Sequence, residues 1–472
     1  MKKMTIVAAL AVITVMAFAA LSTVAYARPS FSSRCNSAGC HVGPNVVVTA
    51  TVVATSGPNA RLNLSAPGAT AIAVFNGTTK VGTTFTGASA QTTVTAGNTY
   101  TIFGVMGPGR TTGVGLTTIT PALNVPVPRL SSNNNYGTAV AAAKTQCTMA
   151  PSTTPTYTGV TNIVLASGDV RAQADPLAAA GMCWAYRSTR GNAPLLLVSA
   201  RAKTDSRVLS LIDAIVAANA SSTVTVRIVG GPGSVPNARY NEIAAYVATH
   251  SRGMIAKDRV INFGDRFDLA GAIAMRMKMR ADASLTDSLV LPSQVLVANG
   301  ADPNKFFDPL ALSPIAAYRG APILLVSVGR VPAATSRTIA RLRAANANTR
   351  VYVGAGSGTV SESVRRSLRA TRIWGPDRYS NATTIANYAF ARGWLLNTAP
   401  AAVASTITHA QIAGAMVGGD GGALVLTRST SLPSVTSSWL MSHMNTLPMV
   451  YVFGSTANLS ESVRNSVVQA VN

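Results

Sequence analysis

The chain has 472 residues, 48% hydrophobic and 12% charged, with 39 Lys and Arg against 16 Asp and Glu, a formal net charge of +23. That apolar share excludes a disordered chain, and the length suits about three domains. A basic excess of this size draws a protein to polyanions such as acidic wall polymers, anionic lipid or extracellular nucleic acid. The basic residues are spread along the chain and no nucleic-acid module is recognisable, which favours a wall polymer.

The opening residues read as a signal peptide over 1–27. Lys2 and Lys3 form a basic start, Thr5 to Leu21 is apolar but short for a spanning helix, and Ala25-Tyr26-Ala27 fits a cleavage site. The mature chain is then expected to start at Arg28, exported. No second long apolar segment follows, so a soluble or surface-attached protein is expected. No Asp or Glu occurs before Asp169.

Residues 28–44 hold Cys35-Asn-Ser-Ala-Gly-Cys40-His41. Covalent haem attachment needs two nearby thiols for the vinyl groups and an adjacent histidine for the iron. The spacing here, Cys-x4-Cys-His, resembles the longer variant of c-type cytochromes. Of the chain's 4 histidines, one directly follows the second cysteine. A small disulfide loop between Cys35 and Cys40 is the alternative, chemically reasonable outside a cell, and a metal site is a third reading.

Residues 45–123 change to short runs rich in β-branched residues, punctuated by Gly-Pro, Asn-Gly and Gly-Asn pairs. This predicts a small antiparallel β-sandwich of immunoglobulin-like type. If haem sits at its edge, Met106 is a candidate second axial ligand. Residues 124–160, with Ser131-Ser-Asn-Asn-Asn at their centre, read as a linker. With Cys35 and Cys40 occupied together, Cys147 and Cys183 form the remaining pair, predicting a disulfide from linker to the next domain.

From Thr161 onward strand-like and helix-like runs alternate, which predicts parallel sheets with crossover helices. Copies are traced over 161–285, 286–396 and 397–472. They share Ala193-Pro-Leu-Leu-Leu-Val-Ser and Ala321-Pro-Ile-Leu-Leu-Val-Ser, strand–glycine turns at Val226 and Val351, and Gly264-Asp-Arg-Phe beside Gly375-Pro-Asp-Arg-Tyr. The helix starts Ser361-Glu-Ser-Val-Arg and Ser460-Glu-Ser-Val-Arg are identical. Thr359 with Glu362, and Asn458 with Glu461, are read as their caps.

Together these motifs resemble the type 2 cell-wall-binding repeat of Gram-positive surface proteins, over roughly Thr161 to Asn472. The resemblance implies a pseudo-threefold α/β unit, built from three repeats, that binds an anionic secondary wall polymer non-covalently. The chain departs from the pattern after Arg187, where the first copy has insertions, and at Ala423, where the others have Pro194 and Pro322. Ligands of open parallel sheets sit beyond the strands' carboxyl ends. Arg201, Arg330 and Arg428 fall there, one per copy, and arginine's planar fork suits phosphate or carboxylate.

Gly354-Ala-Gly-Ser-Gly lacks the third glycine of a dinucleotide loop, and His250, His409 and His443 stand singly. No catalytic constellation is visible, so no enzyme is expected. Two readings remain. One is a wall-anchored surface protein carrying c-type haem for extracellular electron transfer, with other cytochromes or redox partners. The other is a structural or adhesive surface protein with a Cys35–Cys40 disulfide.

Overall fold

The computed structural model describes residues 48–472 except 57–58, 68, 70, 77–78, 96–98, 106–113, 120–124, 149–153, 170–171, 173, 189, 261–263 and 284–292. The expected signal segment lies outside the described residues. The chain divides into one unit of residues 1–126 with 471–472, and another of residues 127–470.

The first unit contains two antiparallel sheets. β1 (Thr49–Ser56), β2 (Asn59–Ser65) and β5 (Ser89–Thr95) form one, in the order β1-β2-β5. β3 (Ala71–Asn76), β4 (Thr79–Thr86), β6 (Tyr100–Val105) and β7 (Val114–Ile119) form the other, in the order β4-β3-β6-β7. On β2 the pattern is strict: Leu62 and Leu64 are buried while Arg61 and Asn63 are not. A two-residue period puts alternate side chains on opposite faces, which is why Ala60, Leu62 and Leu64 alternate here with polar residues.

The second unit is three four-stranded parallel sheets of one topology. The first has the order β10-β9-β11-β12, from Asn162–Ser167 (β9), Leu195–Val198 (β10), Val224–Ile228 (β11) and Ile255–Arg259 (β12). The second has the order β14-β13-β15-β16, from Gln294–Asn299 (β13), Ile323–Val326 (β14), Arg350–Val353 (β15) and Ala370–Arg372 (β16). The third has Ala401–Ala404 (β17), Ala423–Leu426 (β18) and Val450–Phe453 (β19) in the order β18-β17-β19, and its fourth member is β8, Arg129–Leu130. β10, β14 and β18 are wholly buried, as apolar runs covered on both faces must be.

One helix follows the first strand of each sheet: α2 (Ala174–Ala185), α6 (Leu312–Arg319) and α10 (Ile407–Gly419). These three pack on one another at the centre of the unit. Small residues permit the approach: a Cβ on Gly418 would lie 2.7 Å from the Pro314 backbone. The helix after each fourth strand crosses to the next sheet. α5 (Arg266–Ala283) packs on β14 and α7 (Ala333–Ala345), and α9 (Arg378–Ala391) packs on β18 and α11 (Ser434–His443). α1 (Asn135–Gln146) closes the ring by packing on β10 and α3 (Ser206–Ala217).

The segment 124–160 is therefore not a linker. It supplies β8, the missing strand of the last sheet, and α1, the crossing helix onto the first. Its polar centre has a structural purpose, because Asn134 caps α1 by accepting from Gly137 N. Asparagine caps as well as the aspartate used at the other two crossings, and it removes the charge that marks them in sequence.

The expected Cys147–Cys183 disulfide is absent; both residues are free and buried. Cys147 lies in the apolar cluster formed by α1, α3 and α4 (Asn237–Thr249) with Ile163, Leu165, Leu196 and Val198. Cys183 belongs to α2, which packs on β9 but contributes nothing to that cluster. The two thiols are thus carried by different helices into separate packing environments, α1 over β10 and α3, and α2 over β9.

Candidate functional site at the strand carboxyl ends

The loops beyond the carboxyl ends are held by a contact repeated once per sheet. Arg372, at the end of β16, donates to Ala355 O at 2.6 Å and Val360 O at 2.8 Å. Arg259, at the end of β12, donates to Gly230 O and to Val235 O. Arg129, on β8, donates to Gly454 O at 2.7 Å and Leu459 O at 2.8 Å. Each guanidinium thus spans both ends of the glycine-containing turn that follows the third strand, matching its planar fork to two carbonyls.

The same arginines reach the first residue of the next helix. Arg372 meets Glu362 at 3.4 Å, Arg129 meets Glu461 at 3.0 Å, and Arg259 meets Asn237 Oδ1 at 3.2 Å. Glu362 is held down at about 2, chiefly by hydrogen bonds from Arg365, then from Arg372. The true caps are Ser361, accepting from Val364 N at 3.3 Å, and Ser460, accepting from Val463 N at 3.3 Å. This corrects the expectation for Thr359 and Asn458. Thr359 instead donates its hydroxyl to Asp308, and Asn458 O accepts from Ser405 Oγ.

The expected binding arginines lie where the topology places them, exposed just beyond β10, β14 and β18. Their positions are not equivalent. Aligning the strands puts Ser199 opposite Ser327 and Arg428, so Arg428 starts its loop while Arg201 and Arg330 sit two and three residues further along. Arg428 lies over the ring of Tyr379, 5.2 Å from its centroid. Tyr379 belongs to the crossing helix α9, so this contact joins the second repeat to the third.

The counterpart of Tyr379 on α1 is Tyr136, and its surroundings differ. Tyr136 donates to the Asp169 carboxylate at 3.3 Å, which also accepts from Ala200 N at 2.8 Å and Ser199 Oγ at 3.2 Å. Burial, then the neighbouring carboxylate, raise the Tyr136 hydroxyl above its usual range. The first sheet therefore brings its own anion to the hydroxyl and N–H groups at this end, whereas the third sheet presents a cation there.

Cys35, Cys40, His41 and Met106 lie outside the described residues. Among the described residues no three His, Cys, Asp or Glu side chains gather as a metal site would require. No helix among them is long and apolar enough to cross a membrane. The three clamping arginines were not recognised from sequence. Their signal is an Arg five or six residues ahead of an Asp or Asn that caps a helix, at Arg129, Arg259 and Arg372.

A ring of three like sheets, with arginines at their carboxyl ends, defines a repeat-built binding module. The chain belongs to the cell wall binding domain 2 (CWB2) family, which it matches over residues 129–240, 264–365 and 372–464. It is accordingly a wall-binding protein of the cell surface. The first matched segment starts at β8, so the repeat frame begins with a fourth strand or its crossing helix rather than at residue 161. Among solved structures the chain is similar to Cwp6 from Clostridium difficile, at 18% identity and a TM-score of 0.57, covering 90% of this chain and 68% of that one. It is similar also to Cwp8 from Clostridium difficile, at 15% identity and a TM-score of 0.56, covering 90% of this chain and 80% of that one. At these identities the likeness is one of fold. No curated protein matches the chain.

Proposed function

We propose that the three-repeat unit holds this protein on an anionic secondary wall polymer without a covalent bond, with Arg201, Arg330 and Arg428 contacting its acidic groups. The observation that carries this is the exposed arginine beyond the second strand of every sheet, in a chain of net charge +23. Guanidinium groups pair bidentately with phosphate or carboxylate, and such binding weakens as salt rises. The test is co-sedimentation with purified walls. Replacing all three arginines by glutamine abolishes salt-sensitive retention; undiminished retention overturns the assignment of these residues.

The N-terminal unit carries a second part of this reading. Its two sheets form an immunoglobulin-like sandwich, and Cys35 and Cys40 would hold haem c by thioethers to its vinyl groups, with His41 and Met106 as the residues that would ligate the iron. What favours haem is the donor set itself, two thiols with a histidine adjoining the second. Bound haem supplies one-electron transfer to an extracellular partner. A Soret band on the exported protein, lost in Cys35→Ala, supports this. Its absence in a host that matures c-type cytochromes leaves a structural or adhesive surface protein with a Cys35–Cys40 disulfide.

A further inference from the structure

Of the chain's 4 tryptophans, Trp184, Trp394 and Trp439 are 7%, 6% and 3% exposed, whereas Trp374 is 51% exposed. Trp374 lies two residues beyond the end of β16, at the carboxyl end of the second sheet. Its ring lies beside the glycine turn after β15, where a Cβ on Gly356 would come within 3.4 Å of the indole. The glycine leaves the ring room to lie along the backbone. An indole this exposed has no role in a core, and large aromatic rings with a wet edge are enriched at binding surfaces.

The ring does not stand alone. Four residues further on, the Arg378 guanidinium lies over the Phe307 ring, 4.0 Å from its centroid. Asn381, 1% exposed, ties these pieces together. Its Oδ1 accepts from Gly375 N at 3.0 Å, and its Nδ2 donates to Asp308 O at 2.6 Å and Gly354 O at 3.1 Å. One buried amide thus fixes the turn bearing Trp374 and Arg378, the loop bearing Phe307, and the start of the glycine turn beside the indole. A Cβ on Gly375 would lie 2.5 Å from the Ser380 backbone, so the turn packs directly on the first turn of α9 and has no room for a side chain there. An exposed aromatic face and an aromatic-backed cation are thus carried four residues apart on one turn, anchored by the same buried amide.

We propose that Trp374, with Arg378 on Phe307, is a sugar-binding platform that takes one pyranose ring of the wall polymer on the indole and its anionic substituent on the guanidinium. This rests on the wall-binding reading above and adds a subsite that distinguishes the second repeat. The C–H face of a pyranose is apolar and matches an aromatic ring, while the acidic group beside it needs a fixed cation. The stretch after Arg129, Leu130-Ser131-Ser132, offers no such ring at the corresponding end of the third sheet.

Because the other three tryptophans are buried, acrylamide quenching of the whole chain's fluorescence reports chiefly on Trp374. The probe is polysaccharide released from purified walls and added to the full-length protein. Binding is expected to protect Trp374 from quenching. Trp374→Ala is expected to weaken binding about tenfold, the effect of losing a central aromatic anchor, and Trp374→Phe less. Arg378→Gln is expected to weaken binding to the anionic polymer but not to the same polymer with its acidic groups removed. Polymer binding that leaves Trp374 equally quenchable, and is unchanged in Trp374→Ala, overturns the platform while wall binding stands. Failure of the unaltered protein to bind overturns both. Equal thermal unfolding of the variants separates lost contact from lost fold.

Discussion

Arg372 donates to the backbone carbonyl of Val360 at 2.8 Å, tying the end of the second sheet's fourth strand to the turn that launches the preceding helix. Arg129 makes the same contact with Leu459, at a sequence separation of 330 residues. A local staple in one repeat is thus, in another, the stitch that joins opposite ends of the unit. Its loss strands two carbonyls and a glutamate partner. Arg129→Ala is expected to cost about 3–6 kcal/mol, the range for two hydrogen bonds from a charged donor. Arg129→Lys should recover only part of it, since an ammonium lacks the fork. Urea unfolding of the two variants checks this.

The ring closure predicts where the unit can be cut. A chain beginning at Thr161 lacks β8 and α1, exposing an edge of β19 and the apolar surface of β10 and α3. It is expected to bind hydrophobic dyes and unfold without a sharp transition. A chain from Val127 onward is expected to unfold cooperatively. Moving residues 127–159 behind Asn472 should restore cooperativity, because the strand then reaches the same sheet from the other terminus. Circular dichroism melts of the three chains decide it.

Much of this was legible beforehand, and the limits have identifiable causes. Runs such as Leu195–Val198 and Ile323–Val326 announce buried parallel strands, and a glycine just ahead of Asp-Arg announces the crossing helices at Asp265 and Asp377. At Asn134 the same cap lacks both glycine and charge, and β8 is two residues long, too short for any periodic signal. The cysteine pairing failed for a related reason: elimination among four thiols carries no information about which packing environment each occupies. The three expected arginines do lie exposed beyond the strands' carboxyl ends, where strand order puts them. Their unequal register, and the Asp169 carboxylate that receives Tyr136 and Ser199, are side-chain facts that strand order does not fix.

Equivalent positions carry opposite pH responses. Asp175 on α2 packs near Gly230 of the first sheet's turn, and His409 on α10 packs near Gly454 of the third. Burial raises the Asp175 carboxyl to about 6, partly countered by Ser234 and Arg266. Burial lowers His409 to about 4, and its Nδ1 finds no hydrogen-bond partner among the described residues. For Asp175 the folded state holds the extra proton between its unfolded value near 4 and about 6, so stability falls as pH rises through that window. For His409 the unfolded state holds the extra proton between about 4 and its ordinary 6.5, so stability rises with pH there. The two slopes oppose each other. Asp175→Asn is expected to leave stability increasing from pH 4 to 6.5, and His409→Gln to leave it decreasing, each by roughly 2–3 kcal/mol. Denaturant midpoints across that range test the pair.

Burial pushes the thiols of Cys147 and Cys183 up to about 11 and about 12. Only the thiolate is nucleophilic, so neither is expected to react with a disulfide reagent at pH 8 in the folded protein. Both should be labelled at once after unfolding. Peptide mapping of the unreduced protein should find each as a free thiol, and a linked 147–183 peptide would contradict the structure.

The two-residue strand β8 also orders events in time. A protein that leaves the cell amino terminus first delivers Arg129 and Leu130 some 320 residues before the strand they must join, Val450–Phe453. Until then, the third sheet has no last strand and the first sheet's outer face has a helix with no closed ring behind it. Contacts of such long span are slow to form and leave edges open meanwhile. The anchor is therefore a clasp that cannot snap shut on a partly exported chain: it latches only when the final repeat has emerged.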